Sequence, residues 1–69
     1  MNLHSSTNKL GKYVTQIIHF TGGQKKTFSG VDTETIKDGT FTKMMTKDGR
    51  MLMINSNNVD MIEVFKEEE

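Results

Sequence analysis

Lys37-Asp38-Gly39-Thr40-Phe41-Thr42-Lys43-Met44-Met45-Thr46-Lys47-Asp48-Gly49-Arg50-Met51-Leu52-Met53-Ile54 is the stretch that decides the fold. Two copies of Lys-Asp-Gly stand ten residues apart, and each is followed by a β-prone run. Asp-Gly offers the positive φ that a tight hairpin turn needs, so the pair predicts two successive strand junctions. Between them Phe41, Lys43 and Met45 alternate with Thr40, Thr42, Met44 and Thr46, the period of a strand with one wet side. Met51 to Ile54 is apolar at every position, which predicts a strand covered on both faces.

Working outward, Asn55-Ser56-Asn57-Asn58 reads as the next turn, and Val59 to Phe65 as a closing strand with Val59, Met61 and Phe65 opposing Ile62 and Val64. On the N-terminal side, Lys12 to Phe20 carries Val14, Ile17, Ile18 and Phe20 and reads as a strand. Thr21-Gly22-Gly23-Gln24 breaks it, and Lys25 to Ser29 returns with Lys26 and Phe28 on one face. The segment from Gly30 to Ile36 is expected to be a connection, either loop or a single helical turn capped by Asp32, since its threonines are poor helix formers. The expectation is an all-β, five-stranded antiparallel meander, forming a small barrel or sandwich. Residues 1–9 would be a flexible N-terminal arm, 10–66 the single small domain and 67–69 an acidic tail.

The chain has 69 residues and no cysteine. A domain of this size buries only about 60% of the surface its unfolded chain exposes, so small domains are commonly reinforced by disulfides, metals or partner subunits. Disulfides are excluded, and the two histidines, His4 and His19, have no cysteine or carboxylate at ligand spacing. The set Asp32, Glu34 and Asp38 has too few ligands for a calcium loop. With no metal and no cofactor implied, assembly into a homo-oligomer is the expected reinforcement, the sheet extending between subunits to close a ring. Five of the six methionines, Met44, Met45, Met51, Met53 and Met61, lie in the C-terminal three strands. Methionine fills irregular gaps, so these residues read either as core or as an adaptable interface, with Met44, Met51, Met53 and Met61 the interface candidates.

Net charge is zero, but eight basic against four acidic residues up to Arg50 are balanced by one against five beyond it. No apolar stretch reaches the ~18 residues of a membrane span, and the first residues lack a signal-peptide pattern, so a cytoplasmic protein is expected. Enzymatic chemistry has no visible carrier. Gly22-Gly23 before Lys25-Lys26 lacks phosphate-loop spacing and leads into a strand, and His19 has no orienting carboxylate adjacent in sequence. The basic residues Lys25, Lys26, Lys37, Lys43, Lys47 and Arg50 fall within 26 residues, nearly all at or beside turns. Gathered at one rim they would form a strip for phosphates, with Phe28 or Phe41 offering a stacking surface; the competing reading is ordinary solvated surface.

From Ile17 to Gly39 the order of features resembles the trp RNA-binding attenuation protein family: Thr21 with a following glycine, Lys26 and Phe28 on the second strand, then Glu34-Thr35-Ile36-Lys37-Asp38-Gly39. The length and the His-Ser-Ser start are similar too. The resemblance implies small all-β subunits in a ring that winds single-stranded RNA, with Phe28, Glu34 and Lys37 as RNA contacts. Met51-Leu52-Met53 stands where that family has a Lys-x-Arg pair, and the segments of its tryptophan pocket are missing, so the resemblance leaves a small-molecule effector open. Asp48-Gly49-Arg50 through Asn55 to Ile62-Glu63 is similar to the strand, asparagine turn, strand pattern of Sm-like and other SH3-like barrels, which also form rings and bind RNA. The expected function is thus a non-enzymatic ring subunit that binds single-stranded nucleic acid, RNA above all, through Lys25, Lys26, Phe28, Glu34, Lys37, Lys47 and Arg50. The alternative is a structural or protein-interaction module, such as a viral or host assembly component, with a methionine-rich interface.

Overall fold

A computed structural model describes residues 11–67. The expected arm over 1–9, with His4, lies outside the described residues, as do Glu68 and Glu69. Five strands form one antiparallel sheet: β1 (Tyr13–Phe20), β2 (Lys25–Lys37), β3 (Phe41–Thr46), β4 (Met51–Asn55) and β5 (Val59–Lys66), with a 3-10 turn over Ser56–Asn58. Their order across the sheet is β4-β3-β2-β1-β5. The first four strands are the expected meander. The fifth departs from it, crossing from the β4 edge to pair with β1, and the sheet remains open with β4 and β5 as its two edges.

The expected connection at Gly30 to Ile36 is strand, and β2 is 13 residues long. Two irregularities hid it. Val14 faces Val31 while Gln16 faces Phe28, so β2 carries one residue more than β1 between those pairs and bulges there. Gly30, at φ 66, supplies the left-handed conformation of that bulge. Farther on, Asp32 faces Met45 and Lys37 faces Lys43, so β2 loops out between them against β3. The Thr35 hydroxyl spans the gap, accepting from the Met45 N–H at 2.9 Å and donating to the Asp32 carbonyl at 2.7 Å. Bent this way, β2 gives its first half to β1 alone and its second half to β3 as well.

The bend folds the sheet around a small one-sided core of Val14, Ile18, Val31, Met44 and Ile54, with Phe20, Phe28, Ile36, Leu52 and Val59 packed against it. The alternation expected in β3 holds: Thr42, Met44 and Thr46 face inward, and Phe41, Lys43 and Met45 outward. Two expectations for the C-terminal strands are corrected. β4 is covered on one side only, Ile54 being buried while Met51 and Met53 stand exposed on the outer face. In β5 a shift of register at Asp60 puts Val59 opposite Phe20, so Val59 joins Ile62 and Val64 on the inner face instead of Met61 and Phe65 on the outer.

Candidate nucleic-acid interface

The two Lys-Asp-Gly turns are built differently. Thr46 to Arg50 closes as a three-residue hairpin loop: the Thr46 N–H donates to the Arg50 carbonyl at 2.8 Å, the Gly49 N–H to the Thr46 carbonyl at 2.9 Å, and Gly49 has φ 92. Phe20 to Gln24 repeats this pattern. Residues 38–40 form a wider bend in which Gly39 does not take positive φ, contrary to the expectation from Asp-Gly. Its carbonyls are instead tied to the 3-10 turn, Gly39 accepting from the Ser56 hydroxyl at 2.7 Å and Thr40 from the Ser56 N–H at 3.0 Å. The Asn55 side chain caps that turn by accepting from the Asn57 N–H.

These frames distribute the expected basic residues into three groups, not one strip. Lys25 lies on the outer face opposite His19, and Lys26 on the inner face opposite Ile18. Lys26 lines an open hollow of about 410 Å³ with Phe20, Phe28, Leu52 and Ile54. Phe28 is half-buried against the core, which removes most of its ring from a stacking role. Lys47 and Arg50 sit at the β3–β4 hairpin and are engaged within the chain. Lys47 Nζ is 3.8 Å from Glu67 and 5.0 Å from the Tyr13 ring centre, and Arg50 Nε is 3.3 Å from Asp48. The Thr46 hydroxyl donates to Asp48 and, with the neighbouring Arg50 charge, holds that carboxyl below its ordinary range.

The third group is the open one. Lys37 and Lys43 are direct cross-strand partners on the outer face, and among the described residues neither has a carboxylate within 4.0 Å. Like charges directly opposite each other destabilise a sheet, so this pairing carries a cost that a bound anion would offset. Two hollows flank the pair. One, of about 410 Å³, is lined by Asp38, Phe41 and Met53 beside the two lysines. The other, of about 530 Å³, is lined by Glu34, Thr35, Met45 and Met51 with the same lysines. Phe41 is 44% exposed, Met51 58% and Met53 54%. Of the four expected interface methionines, Met51, Met53 and Met61 are at the surface, whereas Met44 is 1% exposed in the core.

Several groups escaped the sequence reading. Glu67, expected in a solvated tail, accepts from the Gly30 N–H at 2.6 Å and the Thr15 hydroxyl at 2.8 Å. These bonds, foremost the one from Gly30, hold its carboxyl below the ordinary glutamate range, with the Lys47 charge adding to them. His19 does have a carboxylate beside it, Glu63 Oε1 at 2.8 Å from Nε2, brought across from β5. No sequence signal marks a pair 44 positions apart. Gln16 is buried on the inner face, and its Oε1 has no partner among the described residues.

Among the described residues no three His, Cys, Asp or Glu side chains form a group that could hold a metal ion, and no helix is long and apolar enough to cross a membrane. No family model matches the chain, and neither a curated protein nor a solved structure is significantly similar to it.

Proposed function

We propose that this chain is a non-enzymatic, cytoplasmic subunit of a closed homo-oligomer that binds single-stranded RNA on its outer face. The observation that carries the reading is the Lys37–Lys43 pair, two ammonium groups in register with no ion-pair partner among the described residues, beside an exposed phenylalanine. Phosphates take the lysines, and Phe41 offers a base its ring face, which is the combination that single-stranded binders use without reading sequence closely. Glu34, on the rim of the adjacent hollow, offers a carboxylate acceptor to a base amino group. Lys25, Lys26, Lys47 and Arg50 become secondary contacts, since they lie on other parts of the surface or are paired within the chain.

The open edges support assembly. A free edge strand in a monomer is usually blunted by charge, proline or a bulge, yet Met51 to Asn55 carries none of these. The opposite edge exposes Met61, Ile62, Val64 and Phe65. The β3–β4 hairpin bears Lys43, Lys47 and Arg50 against Asp48, while β5 bears Asp60 and Glu63 against Lys66, so the two edges differ in charge sign. Pairing β4 of one copy with β5 of the next is a head-to-tail contact, which closes into a ring if the rotation permits. A ring presents the lysine pair once per subunit, and modest contacts then add up through multivalency.

The alternative, a protein-interaction module, rests on the same exposed apolar side chains and is separated by salt. Native mass spectrometry with and without a mixed single-stranded RNA pool is the test, together with affinity measured across ionic strength. A multi-subunit particle that gains RNA mass, and loses affinity steeply with salt, is the expected result. A monomer that ignores RNA overturns the proposal, and binding of a protein partner insensitive to salt favours the alternative.

A further inference from the structure

We propose that Gly30, Thr15 and Lys47 form an oxyanion site that Glu67 occupies from within the chain and that a phosphate group takes when the Glu67 side chain swings out. The site originates in the β2 bulge. Gly30 lies in the bulge, outside the β1 register, and its N–H is directed to the same carboxylate that the Thr15 hydroxyl meets. Both groups donate to one oxygen, Glu67 Oε2, at 2.6 and 2.8 Å, while Lys47 Nζ stands 3.8 Å from Oε1. A backbone N–H, a hydroxyl and an ammonium converging on one carboxylate are the donors that a phosphate monoanion or dianion needs.

The third donor is aimed by the backbone. The Lys47 N–H donates to the Gly30 carbonyl at 2.8 Å, and the Lys47 side chain runs over Gly30 so closely that a Cβ there would lie 3.0 Å from its Cγ. Glycine at position 30 thus both supplies the positive φ and clears the path for the lysine. Lys12 Nζ lies 5.4 Å from the centre of the Tyr13 ring that Lys47 also approaches, so two ammonium groups share one aromatic ring. When Glu67 leaves, that positive charge loses its nearest carboxylate. The surrounding hollow, about 210 Å³, is lined by Ser29, Gly30, Lys47, Asp48, Arg50 and Glu67. Asp48 is the one other acid there, and its charge is already taken by the Thr46 hydroxyl and Arg50.

Glu67 is suited to be displaced. It is the first residue beyond β5, outside the ladder whose last pair is Val14 with Lys66, so its release breaks no pairing between β1 and β5. A tethered carboxylate competes as an intramolecular ligand at an effective concentration in the millimolar range, so it raises the phosphate concentration needed to fill the site without closing it.

The test is an inorganic phosphate titration followed at the Gly30 amide by NMR, in the unmodified chain and in Glu67→Ala. The Glu67→Ala chain is expected to bind phosphate about tenfold or more tightly than the unmodified chain, and adding Thr15→Val is expected to weaken that binding again. In the unmodified chain, phosphate must move the Gly30 amide and the Glu67 carboxyl carbon together, a readout that survives even if Glu67→Ala does not fold. An unperturbed Gly30 amide in a folded Glu67→Ala chain, equal affinity in the two chains, or a Gly30 shift without a Glu67 shift overturns the proposal. With inorganic phosphate as the probe, either result stands apart from whether Lys37 and Lys43 bind RNA.

Discussion

Lys37-Asp38-Gly39 and Lys47-Asp48-Gly49 have the same three residues in the same order, and the fold uses them for opposite purposes. The second is drawn inward. Gly49 takes positive φ to close the loop, Asp48 is bonded by Thr46 and Arg50, and Lys47 lies across Gly30 toward Tyr13 and Glu67. The first is left outward. Its glycine keeps an ordinary φ, its bend is tied down through Ser56, and Lys37 faces Lys43 with no carboxylate of the described residues within 4.0 Å. The difference comes from what the following strand pairs with. β3 and β4 continue directly from Thr46 and Arg50 in a tight ladder, whereas β2 and β3 meet only at Lys37 and Lys43 before β2 loops out to Asp32. The tight turn engages its polar groups within the chain, and the wide one leaves its lysine open, where the proposed RNA contact falls.

Charge reversal should expose this contrast with the largest effect. Lys37→Glu combined with Lys43→Glu is expected to lower RNA affinity on the order of a hundredfold at low salt, removing about one unit of salt slope per lysine. Lys47→Met should leave affinity within about threefold, because that ammonium is already engaged. Filter binding or fluorescence anisotropy at two salt concentrations decides it, and equal losses from the two turns would erase the distinction. Lys43→Glu alone carries a second signature of opposite sign. Placing opposite charges across the pair should raise stability by about 0.2–1 kcal/mol while affinity falls, so function and stability move apart.

The glycines give the next largest effect. Gly49→Ala forces a Cβ into the left-handed region, at an expected cost of about 1–2 kcal/mol, read as a lower urea midpoint. Gly39→Ala has no such penalty. A Cβ there meets only the Phe41 carbonyl at 3.6 Å, an ordinary contact, so its cost should stay within about 0.5 kcal/mol. If both substitutions cost the same, the two turns share a conformation after all.

That contrast also marks where the sequence stops speaking. Alternation in Thr40 to Thr46 and the Gly-Gly break after Phe20 were legible because strand period and hairpin chemistry are local. The strand character of Gly30 to Ile36 was not, because its evidence lies elsewhere: Thr15 opposes the bulge, Met45 meets the Thr35 hydroxyl, and Glu67 caps the Gly30 N–H from 37 positions away. Threonines at 33 and 35 are poor helix formers, but their preference for strands is the property that decides here. Of the site, the basic residues and the exposed Met51, Met53 and Met61 could be named in advance, but not which lysines are paired. Met44 shows the same limit in the core, since a methionine at a strand position reads alike whether it faces Ile54 or solvent.

The smallest effect concerns the inward turn through Glu67, and its sign follows from linkage. The bonds from Gly30 and Thr15 favour the charged carboxylate, so its folded value lies below the unfolded one of about 4.3. Its contribution is therefore complete above that unfolded value and is lost as pH falls through the lower folded value. Glu67→Gln lacks the titration while keeping the shape. The urea midpoints of the two chains should differ most at neutral pH and converge as pH falls through the lowered folded value, since the other carboxyl groups titrate in both and cancel in the difference. Because Glu67 is only partly buried, the gap should be modest and should shrink with added salt, the Lys47 attraction being screened first. A gap that is constant with pH would mean that the Gly30 bulge is held by its own backbone and not by the Glu67 carboxylate. The inward turn would then owe nothing to charge, and its contrast with Lys37 and Lys43 would reduce to backbone geometry alone.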